Sequence, residues 1–163
     1  MALLYRWHDG GRLQDAQKYK LTDFYKAPHG DCVCRAIAIA ANRNYREVWV
    51  TLKDRCERAG HSNCHPDKGV YSTIYRPILR EQGFEYISLR KKVSVQQDDA
   101  GRYRYNTRTC PTLNQVSAKF QKGVFIIETV GHLFAVINGV QLDTWQVGSR
   151  TRVEGYWFKK GSN

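Results

Sequence analysis

A chain of 163 residues, 42% hydrophobic and 25% charged, fits one globular domain that buries roughly 70% of its unfolded surface. It has no apolar run of about 18 residues and meets charge too early for a secretory leader, so neither a membrane span nor export is expected. Twenty-six Lys and Arg against 15 Asp and Glu leave a net charge of +11, which favours nucleic acid or an acidic protein as a contact, although no zinc-finger spacing, RNP motif or phosphate-binding glycine loop accompanies it. A cytoplasmic protein whose five cysteines stay thiols is the expectation.

Residues 1–29, with mixed charge, several aromatics and the Gly10-Gly11 break, read as an N-terminal arm packed across the surface. A helix then opens at Cys32, and Ala36 to Ala41 are apolar nearly all round, the mark of a helix buried between other elements. Asn44, with Glu47 three residues on, predicts a capping box for a second helix. Its inward stripe is Tyr45, Val48, Trp49, Leu52, Cys56 and Ala59, and Gly60 ends it. Cys56, His61, Cys64 and His65 lack the paired-knuckle spacing of structural zinc, so no metal and no cofactor is expected. A helix over 70–82, with Pro77 kinking it or lying in its first turn, precedes a strand at 84–89.

The polar stretch 91–109 predicts a protruding hairpin. Its Arg102, Tyr103, Arg104 and Arg108 alternate cation with aromatic, a composition able to grip a phosphate and stack a base, and equally that of a solvated ribbon or of a rim for a peptide substrate. Thr112 and Gln115 cap a short helix, and strands follow at 123–129, 132–137, 140–145 and 152–158.

Two stretches carry chemistry. Cys32 stands at the mouth of the buried helix, where unpaired first-turn amides favour a thiolate, and Arg35 one turn on is expected to add positive charge. Taken alone, Cys32 reads more readily as an ordinary core thiol, and it is the downstream hairpin that turns the reading toward a nucleophile. Asn138-Gly139 between apolar runs predicts a two-residue hairpin that pairs Ile137 with Val140. Counting back, His132 becomes the diagonal neighbour of Asp143 on one face, roughly 7–8 Å away between Cα atoms, which a carboxylate-to-imidazole hydrogen bond can span. Cys34 is the rival nucleophile, but it points about 200° away around the helix.

The Asp31-Cys32 pair opening a central helix, Gly131-His132 opening a strand and Asp143 on the next strand together resemble the papain-like cysteine peptidase superfamily. More closely they resemble small phage and bacterial members with an Asp-Cys-x-x-Arg-Ala helix and a Gly-His-x-x-Ala-Val…Gly…Asp hairpin, over about residues 30–146. The resemblance implies an α+β papain-like fold, its central helix packed on an antiparallel sheet that carries the histidine and aspartate. It implies Cys32 as nucleophile, His132 as general base and then acid, Asp143 as orienter, and a protein or peptide substrate, in the host cytoplasm if the chain is phage-encoded. One departure stands out: such enzymes place a Gln or Asn shortly before the cysteine as an oxyanion donor, and none lies between Gln17 and Cys32. Tyr25, Lys26 and His29 are the side chains nearby. A cysteine peptidase or isopeptidase is the leading expectation. The alternatives are a small-molecule amidase or acyltransferase with the same triad, and a spent scaffold that binds a host protein or nucleic acid.

Overall fold

The computed structural model describes residues 2–26, 30–90, 96–97, 103–104 and 109–159, and the second half of the chain supplies most of its sheet. Strands β5 (Val124–Thr129), β6 (His132–Ile137) and β7 (Val140–Asp143) follow one another as an antiparallel meander. Asn138 and Gly139 both take positive φ, 49° and 79°, the backbone that matches a tight hairpin to the twist of its strands. The register is the expected one, Ile137 opposite Val140 and Ala135 opposite Leu142. Strand β8 (Val153–Lys159) pairs antiparallel with β5, and β2 (Phe84–Ser88) closes that edge.

The opposite edge differs from expectation. Leu4–Trp7 forms β1, which runs parallel to β7, so the six-stranded sheet of order β1-β7-β6-β5-β8-β2 is mixed rather than antiparallel. The segment read as an arm also folds into helices α1 (Arg12–Tyr19) and α2 (Thr22–Tyr25), whose Ala16 and Phe24 enter the core.

Helix α3 (Cys32–Ala40) lies across the sheet, every residue after Cys32 buried. Beside it runs α4 (Tyr45–Arg58), where the Asn44 side chain accepts from the Glu47 amide at 3.2 Å. The return bond of a capping box is not made; the Glu47 carboxylate accepts from Arg43 instead. Helix α5 (Ser72–Glu81) holds Pro77 in its interior, beyond the first turn, where the ring leaves the Thr73 carbonyl without its usual amide donor. After it come α6 (Leu113–Val116), with the Thr112–Gln115 capping box in place, and a 3₁₀ turn at Ser117–Phe120.

Alternate residues of the strands serve two cores. Ile126, Leu133, Ala135, Leu142 and Trp157 pack toward α3, α4 and α5. Ile127, Phe134, Val136 and Val153 join Leu113, Val116 and Phe120 on the other face. Covering both faces explains why β6 reads as an unbroken apolar run.

Cys56 and Cys64, expected as thiols, form a disulfide. The inward stripe of α4 delivers Cys56 to the loop that follows, where the two Cα atoms are 5.4 Å apart, an ordinary bridging distance. Of the 91–109 hairpin, the described parts are β3 (Gln96–Gln97) and β4 (Tyr103–Arg104), an antiparallel pair separate from the main sheet. Arg102 and Arg108 lie outside the described residues. Among the described residues no helix is long and apolar enough to cross a membrane.

Candidate active site

Cys32 is the first residue of α3 and the only one of that helix that is not buried. Asp31 stands at the cap position, yet its carboxylate does not bond the amides of its own helix. It turns inward, accepting from the Tyr45 hydroxyl at 2.9 Å and pairing with Arg35. The first-turn amides are thus left without a side-chain cap beside the thiol, the arrangement that favours an anion there.

The hairpin brings His132 to Cys32 from across the sheet. His132 Nε2 lies 2.6 Å from Asp143 Oδ2, and the Cys32 thiol stands near enough to the ring to act on its charge. Because Asp143 occupies Nε2, the nitrogen left for the thiol is Nδ1. Burial disfavours the imidazolium, but the hydrogen bond to Asp143, the nearby Cys32 thiol and the charges of both outweigh it, pushing His132 from 6.5 up to about 9. The Trp145 indole stacks on the imidazole, centroids 4.5 Å apart and planes 22° from parallel.

Asp143 is held by three elements. Its Oδ1 accepts from its neighbour Thr144 N at 2.7 Å and from Arg35 Nη2 on α3 at 3.1 Å. Its carbonyl accepts from His8 N at 2.9 Å and from the Tyr5 hydroxyl at 3.3 Å, both supplied by β1 and the residue after it. Arg35 therefore does not serve Cys32 directly, as its spacing suggested: the guanidinium is buried between Asp31 and Asp143.

Cys34 faces the other way. It is buried, with its thiol 3.6 Å from the Tyr45 carbonyl, and burial pushes its pKa well above the ordinary value. Such a thiol stays protonated and unreactive.

Cys32 and His132 open onto a cleft of about 340 Å³, bounded by the 63–72 segment, α5 and the β5–β6 turn. Glu128 and Glu154 line its far wall, each neutralised from behind, Glu128 by Arg76 at 2.8 Å and Glu154 by Arg90 at 2.6 Å. The segment 65–69 packs tightly against the residue before Asp31: a Cβ on Gly30 would stand 2.4 Å from the Lys68 carbonyl carbon. Gly30 N also donates to the Asp67 carbonyl at 3.0 Å.

Of the side chains weighed as oxyanion donors, Lys26 does not line this cleft, and the Tyr25 side chain and His29 lie outside the described residues. Asn63 does line it, one residue before the disulfide-bonded Cys64. It follows Cys32 in the chain by 31 positions, so a search for an amide upstream of the cysteine passes over it. In the same polar loop Cys64 is bonded to Cys56 of α4, His61 meets Tyr71 edge-on and His65 meets Trp49 edge-on. Of the proposed binding surface, the side chains of Tyr103 and Arg104, like Arg102 and Arg108, lie outside what the structure describes.

Compared with family models, with curated proteins and with solved structures, the chain matches none of them. The resemblance to papain-like peptidases therefore has the chain's own sequence motifs behind it and no relative.

Proposed function

We propose that the protein is a thiol hydrolase, a cysteine peptidase or isopeptidase that works through an acyl-enzyme. The observation that carries this reading is His132 standing between a half-buried thiol at a helix N-terminus and a buried aspartate, at the mouth of a cleft sized for a substrate side chain.

In this mechanism the Cys32 thiolate attacks the carbonyl carbon, forming a C–S bond while the carbonyl pair moves onto oxygen. On this reading the Cys32 amide and the Asn63 side chain, which lines the same cleft, serve as the donors to that oxyanion. Collapse expels the amine, which leaves with a proton from the His132 imidazolium. His132, now neutral, takes a proton from water as the water attacks the thioester, and release of the acid restores the thiolate. Asp143 holds the ring and supports its positive form without taking its proton.

The test is mass spectrometry after iodoacetamide at pH 6, followed by acylation with a peptide nitrophenyl ester. Cys32 is expected to be alkylated selectively, with Cys34 untouched, and His132→Ala to suppress both alkylation at pH 6 and turnover. If Cys32 reacts no faster than a free thiol and His132→Ala changes nothing, the hydrolase reading fails. The net charge of +11 would then favour the other reading, a papain-like scaffold that binds an acidic partner or nucleic acid without turning it over.

A further inference from the structure

Arg35 is 5% exposed and lies between two carboxylates that are more deeply buried still, Asp31 at 0% and Asp143 at 2%. An arginine fork can serve two carboxylates at once, and each of its terminal nitrogens serves one here: Nη1 pairs with Asp31 and Nη2 donates to Asp143 Oδ1 at 3.1 Å. The oxygen taken is the one His132 does not use, since the imidazole meets Oδ2. Rotation of the Asp143 carboxylate is thereby fixed from both ends.

The contacts also close on themselves. From Asp31 they run through Arg35, Asp143 and His132 to Cys32, which is bonded to Asp31 through the backbone. Tyr45, on α4, anchors the circuit through the free oxygen of Asp31. Resting on the reading of Cys32, His132 and Asp143 as a reactive triad, we propose that Arg35 is its positioning residue. By clasping Asp31 and Asp143 it sets the face of Asp143 offered to His132 and the gap between the nucleophile helix and the hairpin. This gives a purpose to the Asp-Cys-x-x-Arg spacing that neither Cys32 alone nor the hairpin alone requires.

The test is a titration of the His132 imidazole, followed by its NMR chemical shift in a Cys32→Ala background, where no thiolate shares the titration. Around that ring the charged and titratable groups are Asp143 from β7 and, behind it, Arg35 and Asp31 from α3. Thr129 on β5 presents a hydroxyl to the His132 carbonyl, and Glu128, Glu154, Lys68 and Tyr75 line the adjoining cleft. Arg35→Lys keeps the charge and loses the fork, so a changed midpoint reports the orientation of Asp143 rather than a lost cation. The midpoint is expected to fall by about one pH unit, in the same direction as in Asp143→Asn. The double variant Arg35→Lys/Asp143→Asn is expected to fall no further than Asp143→Asn alone, because both act through one carboxylate.

A lower melting temperature with an unmoved midpoint would reduce Arg35 to a packing role and overturn the proposal; so would independent effects in the double variant. Should Arg35→Lys not fold, Asp31→Asn/Arg35→Gln removes a cation and an anion together, and the same fall is expected, an unmoved midpoint again overturning it. The midpoint is read without turnover. Failure of wild-type acylation would sink the hydrolase reading while leaving the midpoint to decide the role of Arg35.

Discussion

His132 concentrates the site's electrostatics in one side chain, and the sign of its effect on stability follows from its environment. Its value is about 9 in the folded protein and 6.5 when free, so below pH 6.5 both folded and unfolded chains carry the proton and the full stabilisation is present. As pH rises from 6.5 through 9 the folded protein still holds a proton that the unfolded chain has released, and the stabilisation is progressively lost. It amounts to about 3 kcal/mol at most. Urea midpoints of wild type and His132→Ala are therefore expected to differ more at pH 6 than at pH 10, and a difference growing with pH would show that the imidazolium is not stabilised as its partners indicate. The His132–Asp143 pairing was legible in the sequence because a two-residue Asn-Gly turn leaves the register no freedom. The partner of Arg35 was not legible. From helical spacing it lies one turn from Cys32, and only the crossing of α3 over β7 brings it to a residue 108 positions away.

At the scale of elements, the loop after α4 shows how local chemistry and tertiary placement separate. Periodicity located Cys56 on the buried stripe and Gly60 at the end of the helix, which agrees with α4 ending at Arg58. That Cys64 returns to meet Cys56 depends on the backbone path of the loop, which periodicity does not describe. The bridge closes a short segment of separation 8, and chain entropy assigns such a closure about 2–3 kcal/mol. Cys56→Ser/Cys64→Ser is accordingly expected to lower the melting temperature by about 5–10 °C. Because Asn63, Lys68 and Gly69 line the cleft from this loop, acylation is expected to fall with it, while iodoacetamide alkylation of Cys32, which forms no oxyanion, changes little. Equal losses in the two reactions would mean that the loop supports α3 as a whole rather than the oxyanion side of the cleft.

For the whole molecule, the departure from the expected antiparallel sheet is confined to β1, and β1 touches the site. Four residues with a partner strand 136 positions away carry too little pattern to be read as a strand, and two of them, Leu4 at 70% and Trp7 at 54% exposed, look like surface. Pairing with β7 nonetheless makes β7 an inner strand. Leu4 N donates to the Gly139 carbonyl at 2.9 Å, and the Tyr5 hydroxyl and His8 amide both reach the carbonyl of Asp143. Deleting residues 1–7 removes little buried apolar surface and leaves Asp9, whose carboxylate accepts from the Gly11 and Leu13 amides at the start of α1. Stability is thus expected to drop only modestly, by a few degrees in melting temperature. The site should suffer more, since β7 becomes an unpaired edge and the backbone carrying Asp143 loses the strand that holds it. Acylation by the peptide ester is expected to fall at least tenfold, equivalent to about 1.4 kcal/mol in the barrier, with the His132 midpoint moving down as Asp143 loosens. A truncated protein that keeps full activity would show that Arg35 and Thr144 suffice to fix Asp143, and one that fails to fold would place β1 in the core despite its exposed side chains.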